Sequence, residues 1–372
     1  MIPFSKPSIT EKEKRYVAEA LDNEICGDGC FTKRATVLLC ERLQDNKHKC
    51  LLTTSCSHAL DMTALLCNIH EGDEVILPSY TFVSTANAFL LRGAKLVFCE
   101  INPRTMNMDT ERLEALITPK TKVIVPVDYA GVPCDMDKVN ALARQNNLLV
   151  VEDAAQAVGS CYKGKPCGTL GDYGCFSFHE TKNYTMGEGG ALWVRDDENM
   201  KRAEIIREKG TDRSRFIRGE IDKYTWRSQG TSYLPSDILA ALLTAQLERF
   251  DEIMANRMER WNTYHEALEP AERAGKLQRP FIPDYAAHNA HMYYVILPDR
   301  RTRDKLLEKL NGDGIGAAFH YLPLHSSPMG QQLGYSPQAL PLTEEYAGRL
   351  LRLPLWYGVE AAKVAEGVKK YI

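Results

Sequence analysis

The chain has 372 residues and 11 cysteines, yet no two cysteines are spaced as C-x-x-C. The closest two are Cys26 and Cys30, so the ligand spacing of a structural zinc site is missing and no metal is expected. In a reducing compartment most of these thiols should be small buried apolar groups. No apolar run approaches the roughly 18 residues of a membrane span. The N-terminal Met1-Ile-Pro-Phe-Ser-Lys6 has no signal-peptide core, so a cytoplasmic protein with no membrane partner is expected. A net charge of −3 provides no basic field, which argues against nucleic acid as a partner. There is no Walker-type loop. Gly27-Asp-Gly29-Cys-Phe-Thr32 lacks both the third glycine and the preceding strand of a dinucleotide fingerprint. Nicotinamide and nucleoside-triphosphate chemistry are therefore disfavoured.

What is present is a mainly alternating pattern. Apolar runs at Glu74–Leu77, Lys95–Phe98, Lys122–Val125, Leu148–Val151, Gly174–Phe178 and Ala191–Val194 predict strands. Stretches such as Met136–Gln145 between them predict helices, so the fold class is α/β with a mainly parallel sheet. Residues 236–265 predict one long helix, 284–289 a loop, and His291–Leu297 a strand opening a smaller α+β region. The length suits about two domains, a large one over 1–248 and a small one over 249–372.

The chemistry centres on Gly174-Cys-Phe-Ser-Phe-His-Glu-Thr-Lys182-Asn183, with Gly187-Glu-Gly-Gly190 close behind. The strand before it ends in Asp153. A lysine that condenses with an aldehyde, and an aspartate on the same sheet edge to hold a ring nitrogen protonated, are what pyridoxal phosphate requires. Ser177 sits where a hydroxyl reaches a phosphate, and Thr53-Thr-Ser-Cys56-Ser57 opens a helix whose free amides suit one. Each signal has a plainer meaning by itself. Most lysines are solvated. An aspartate in the position of Asp153 caps a helix. The polar run at 53–57 is ordinary capping, Phe82 a core side chain and Gln156 a surface amide.

Taken together these residues resemble the DegT/DnrJ/EryC1/StrS family of sugar aminotransferases, which have the type I, aspartate aminotransferase fold. The likeness extends over nearly the whole chain. It is carried by Pro78-Ser-Tyr-Thr-Phe82, Gly93-Ala94, Pro126-Val127, Tyr129-Ala-Gly131, Glu152-Asp-Ala-Ala-Gln156, Phe176-Ser-Phe178, Lys182, Gly187–Gly190 and Phe319-His-Tyr-Leu-Pro-Leu-His325. Within the family, Gly27-Asp-Gly29, Phe31-Thr32, Phe178–Tyr184 and Asp222-Lys-Tyr-Thr-Trp-Arg227 resemble the branch that makes dTDP-4-amino-4,6-dideoxy-D-galactose for enterobacterial common antigen.

The resemblance implies Lys182 as the residue bonded to pyridoxal 5′-phosphate and as the proton carrier, and Asp153 as the pyridinium partner. It implies that Gln156 meets the phenolic oxygen, that Phe82 stacks on the ring, and that the Cys56 amide, Ser57 and Ser177 hold the phosphate. Many relatives complete that phosphate site with an asparagine from a second subunit; here the position is Ser232, whose side chain is shorter. Asp128 stands where the family often has histidine. A homodimer with shared active sites is expected, using L-glutamate and a dTDP-linked 4-keto-6-deoxy sugar in ping-pong order. Lys33, Arg34, Arg213, Arg215 and Arg218 are candidates for the diphosphate, or else an ordinary basic surface. His320 and His325 are candidates for the sugar pocket. The alternatives are a 3-amino or stereochemically different transferase, a dehydrating relative, which Lys182 argues against, and a cofactor-binding regulator without turnover.

Overall fold

The computed structural model describes every residue of the chain except Glu24 and His48. Strands β1 (Cys50–Thr53), β2 (Glu74–Pro78), β3 (Lys95–Cys99), β4 (Thr121–Ile124) and β5 (Leu149–Asp153) come first. A short hairpin, β6 (Cys161–Tyr162) and β7 (Lys165–Pro166), leads to β8 (Tyr173–Ser177) and β9 (Gly190–Val194). Seven of these form one sheet in the order β1-β9-β8-β5-β4-β2-β3. All neighbours are parallel except β9, which runs antiparallel to both β1 and β8. A sheet covered on both faces needs apolar side chains on both, which is why its strands read as continuous apolar runs.

Alternation along each strand divides the core. Val75, Leu77, Val123, Val151 and Cys175 point to one face, packed under α3 (Cys56–Leu66), α4 (Val83–Leu90) and α6 (Asp197–Arg207), whereas Ile76, Ile124 and Val150 point to the other, under α5 (Met136–Gln145). The second face also carries α2 (Cys30–Arg42) and α8 (Asp237–Glu248), with α1 (Glu11–Leu21) outside them. A short α7 (Arg213–Ile217) precedes α8.

The single helix expected over 236–265 is two. α8 ends at Glu248 and α9 (Phe250–Arg273) begins at Phe250. Arg249 between them has φ −101 and ψ 17. Neither glycine nor proline marks the break. Arg249 instead donates to Glu13 Oε1 at 2.8 Å and to the Ser8 carbonyl at 3.4 Å, so a contact distant in sequence goes with the bend. β1 was not among the expected strands, and the loop expected over 284–289 contains the two-residue strand β10 (Ala286–Ala287), paired with β6.

The C-terminal part holds β11 (Tyr293–Ile296), α10 (Arg300–Gly312), α11 (Pro328–Gln332), α12 (Pro341–Arg349), β12 (Leu350–Leu353) and α13 (Ala361–Tyr371). β11 and β12 pair antiparallel over a core shared with α9, α10 and α13. Ile2 packs into this core and pairs with Ile315. The ends of β2, β5 and β8 lie on one edge of the large sheet, and the crevice beyond such carboxyl ends is where open α/β sheets bind ligands.

Candidate active site

Ser55 caps α3, its Oγ accepting from the His58 amide at 3.1 Å. The next two amides, of Cys56 and Ser57, have no acceptor within the helix, as in any first turn. β9 approaches this turn through Gly190, where a Cβ would lie 2.4 Å from the Cys56 nitrogen. Any larger residue there would collide with the backbone of the turn that opens α3. Ser57 Oγ is 2.5 Å from Ser84 Oγ, and Ser177, the last residue of β8, lines the same space. Free amides, aligned helix dipoles and hydroxyls form a receptor for a phosphate.

Asp153 ends β5 and is buried. Its Oδ2 accepts from Thr85 Oγ1 at 2.7 Å and its Oδ1 from the Ala155 amide at 3.2 Å. Burial pushes its pKa above the ordinary carboxylate value, with Thr85, Ala155 and Lys182 acting the other way. Lys182 follows β8 in a turn closed by its own amide on the His179 carbonyl at 2.9 Å. Burial lowers the pKa of its ammonium, opposed by Cys56 and Asp153. A lysine so placed is more often neutral, hence nucleophilic and able to take a proton.

These groups share one cavity of about 410 Å³. Cys56, Ser57, Asp153, Ser177 and Lys182 line it together with Phe82 and Gln156. Phe82 presents 57% of its surface, much for a phenylalanine in a cavity wall. Gln156 is fixed at both ends of its amide: Oε1 accepts from Ala130 at 2.7 Å and Nε2 donates to the Tyr321 hydroxyl at 3.1 Å. Tyr321 has φ 30, a conformation that bulky side chains seldom adopt, and it stacks on His320 with ring centroids 3.6 Å apart. Strain of this kind gathers at ligand sites.

Asp128 is fully buried beside Glu152. Asp128 Oδ1 accepts from the Cys134 amide at 3.2 Å and Glu152 Oε2 from the Leu170 amide at 2.9 Å. Asp128 Oδ2 and Glu152 Oε1 have no other partner among the described residues, and the two carboxyl groups come within 4.8 Å of each other. Burial first, then the neighbouring Glu152, raises the pKa of Asp128; burial also raises that of Glu152. A protonated carboxyl in this pair is a donor that its orphaned neighbour lacks. The Asp128 amide also donates to the Asp153 carbonyl at 3.1 Å, so the pair sits directly behind the site.

Other candidates lie elsewhere. His325 is a correction: it is fully buried, its Nδ1 is 2.7 Å from Ser79 Oγ and its Nε2 faces the Pro337 carbonyl at 3.4 Å, so it does not line the cavity. His320 does, with Nδ1 2.7 Å from the Tyr129 hydroxyl. Arg34 pairs with Glu248, Arg215 with Glu220, and Arg218 with Glu204 and Glu220; Arg213 lies 3.5 Å from Glu208. None of these, nor Lys33, lines the cavity, because nearby acids already hold the arginines on the surface. Ser232 is exposed and pairs with Glu208, outside this chain's own cavity.

Sequence reasoning missed Thr85, His291 and Arg352, all of which line the cavity. His291 Nδ1 is 3.0 Å from Asn183 Oδ1, and burial keeps its ring neutral. Arg257 of α9 anchors that segment through the carbonyls of Ala290 at 3.1 Å and His291 at 2.6 Å.

Comparison with known proteins decides which family this geometry belongs to. The model of the DegT/DnrJ/EryC1/StrS aminotransferase family matches residues 7–370. The chain belongs to that family. GDP-perosamine synthase of Caulobacter vibrioides is 35% identical over 369 residues, covering 98% of this chain and 95% of its own. The aminotransferase TlmJ from Streptoalloteichus hindustanus superposes with a TM-score of 0.91 at 30% identity, covering 100% of this chain and 98% of its own. Spr1654 from Streptococcus pneumoniae, in its PLP form, gives 0.90 at 27% identity, covering 100% and 97%. The fold is that of the pyridoxal-phosphate-dependent sugar aminotransferases, and this chain is such an enzyme. Its cavity fits the cofactor on its own evidence: an anion cradle at a helix end, an amine and a buried carboxylate. No helix among the described residues is long and apolar enough to cross a membrane.

Proposed function

We propose that the enzyme moves the amino group of L-glutamate to C4 of dTDP-4-dehydro-6-deoxy-D-glucose, giving dTDP-4-amino-4,6-dideoxy-D-galactose and 2-oxoglutarate. The observation that carries the transfer chemistry is the convergence of Lys182, Asp153 and the free α3 amides on one cavity. The choice of sugar is supported by Gly27-Asp-Gly29, Phe178–Tyr184 and Asp222–Arg227, which resemble the branch making this product. A nucleotide-linked substrate is further supported by the GDP-perosamine synthase relative.

Pyridoxal phosphate, when bound, supplies a conjugated ring that takes up the electron pair left on the donor's α-carbon. In this reading the amides of Cys56 and Ser57, with the Ser57 and Ser177 hydroxyls, bind its phosphate. Phe82 covers one face of the ring. Asp153, oriented by Thr85, holds a proton at the ring nitrogen. Lys182 takes the proton from the donor's α-carbon and returns one to the sugar's C4 in the second half-reaction. Gln156 orients the phenolic edge.

The enzyme is proposed to act as a cytoplasmic homodimer in which Ser232 reaches the phosphate of the other subunit. The exposed Ile217, Tyr224 and Trp226 in the same region support a covered surface there. The test is to incubate the holoenzyme with L-glutamate and, in turn, dTDP-4-dehydro-6-deoxyglucose, its 3-keto isomer and the GDP-linked 4-keto sugar. 2-Oxoglutarate is measured and the product's ring proton couplings are read by NMR. A small H3–H4 coupling identifies the galacto product. A large one, or turnover with only another sugar, overturns the substrate assignment.

A further inference from the structure

A second cavity, of about 300 Å³, lies at the opposite end of α3 from the phosphate cradle. Leu65 in the last turn of α3, the loop after it, Arg92 just past α4, Arg202 and Ile205 of α6 and the segment Arg227-Ser-Gln229 line it. Ser57 and Ser84, in the first turns of α3 and α4, belong to the Lys182 cavity. An 11-residue helix such as α3 is about 16 Å long, so the two cavities are separate. The volume suits a small ligand.

Three arginines and His70 line this second cavity, and among the described residues no aspartate or glutamate does. Surface arginines such as Arg34, Arg42, Arg215 and Arg218 are each held by an acid. Arg92 and Arg202 have only neutral acceptors among the described residues. Arg202 donates to the Leu66 carbonyl at 3.2 Å, to Asn199 Oδ1 at 3.1 Å and to Asn68 Oδ1 at 2.9 Å. Arg92 donates through Nη2 to Gln229 Oε1 at 3.0 Å, and its Nε is buried with no partner. Arg227 gives its Nε to Asp212 Oδ2 at 2.6 Å and turns the rest of its guanidinium to the cavity. Neutral acceptors orient a guanidinium without cancelling its charge. Cations gathered round one space repel one another, and an anion placed there relieves the repulsion.

We propose that this second cavity is a binding site for a phosphate monoester with an apolar or aromatic body. The head group follows from the donors. A guanidinium binds phosphate oxygens through paired hydrogen bonds, and a monoester offers three such oxygens to the three arginines where a carboxylate offers two. The body follows from the rest of the wall. Leu65, Ile69, Ile205 and Ile206 form an apolar surface that an inorganic ion would leave uncovered. Covering it adds affinity in proportion to the area removed from water. Arg227–Gln229 follow directly on Trp226, so the rim adjoins the surface proposed above to be covered by a second subunit. An acid of that subunit is the rival occupant. The proposal stands whichever sugar the enzyme takes.

The test uses the holoenzyme saturated with the nucleoside diphosphate of its own sugar substrate, so that the diphosphate site of the reaction is already filled. Phenyl phosphate, inorganic phosphate and benzyl alcohol are titrated by calorimetry into wild type, Arg92→Gln, Arg92→Lys and Arg202→Gln. Melting curves and sedimentation are recorded for each. Wild type is expected to bind phenyl phosphate saturably at one site per chain, inorganic phosphate at least about tenfold more weakly, and benzyl alcohol more weakly still. Arg92→Gln and Arg202→Gln are each expected to weaken phenyl phosphate by about 10–100-fold, as loss of a charged hydrogen bond does, with partial recovery in Arg92→Lys. Arg202 also holds the end of α3 through Leu66, so if Arg202→Gln melts early the two Arg92 variants decide. No saturable binding by wild type overturns the proposal, as does equal binding by wild type and Arg92→Gln. Inorganic phosphate binding as tightly as phenyl phosphate overturns the ligand class, because the apolar wall would then be idle. Arg92→Gln sedimenting as a smaller species than wild type also overturns it, because the arginines would then be holding the second subunit.

Discussion

A carboxyl group buried beside another carboxyl group binds its proton more tightly than it does in water, and Asp128 shows what this does to stability. Its folded pKa is raised above the ordinary aspartate value, so between that value and the folded one the folded chain keeps a proton that the unfolded chain releases. Stability therefore falls as pH rises through this window, by about 1.4 kcal/mol per pH unit for one retained proton. Asp128→Asn removes the titration and leaves an amide that can donate to Glu152. Urea unfolding at several pH values is expected to show the variant gaining on wild type as pH rises from about 4. Parallel curves would show that the pair holds no shared proton. Lys182 acts in the opposite sense: burial lowers its pKa, so its charged form costs stability at neutral pH and the cost fades as pH rises toward the unfolded value. Lys182→Ala is expected to lose the visible band of lysine-bound cofactor and to cut turnover by at least about 10³-fold. A spectrum unchanged by the substitution would remove the lysine from its role.

At the scale of elements, the phosphate cradle depends on how closely β9 approaches the first turn of α3. Gly190→Ala would put a methyl group 2.4 Å from the Cys56 nitrogen and 2.5 Å from the Ser55 carbonyl carbon. Backbone atoms cannot swing aside, so the strand and helix must part, at a cost of about 1–3 kcal/mol. Equilibrium dialysis is expected to show weaker cofactor binding together with a lower urea midpoint; a stability loss with unchanged cofactor affinity would separate Gly190 from the cradle. Ser55→Ala, which removes only the cap, should cost about 1 kcal/mol. Six of the seven strands of the large sheet, all but β1, and α5 were legible because apolar runs of about five residues between helical stretches suit a sheet covered on both faces. The break at Arg249 was not, because it involves Glu13 and Ser8, more than 200 positions away in sequence. We propose the division between a large and a small domain there.

At the scale of the molecule, the proposed dimer makes two demands. Trp226, 77% exposed in the single chain, should be covered in solution. Trp226→Asp is expected to shift sedimentation toward the monomer and to weaken cofactor retention. Wild type sedimenting as a monomer with full cofactor occupancy would rule out a shared site. Ser232→Asn restores the longer side chain common in the family, and cofactor affinity is expected to rise by about 2–10-fold, the worth of one added hydrogen bond. A change that weakens binding would mean that Ser232 does not face the phosphate.

The sequence by itself determined which residues to look for at this enzyme's cavity. Asp153 and Ser177 end strands, Lys182 follows in the turn after β8 and the polar run at Cys56 starts a helix, and local periodicity is enough to place such ends on one sheet edge. What only the tertiary structure decided are the groups brought in from far along the chain. Arg352, between leucines, carries no motif that marks a site, and only β12 places it on the cavity wall. His325 reads as a pocket residue until Ser79 and Pro337 are seen to enclose it. The paired acids that hold Arg34, Arg215 and Arg218 on the surface are likewise visible only after folding. The physical reason is the same in each case. A strand end is fixed by its neighbours in sequence, whereas the burial and pairing of a charge depend on which distant side chains the fold sets against it.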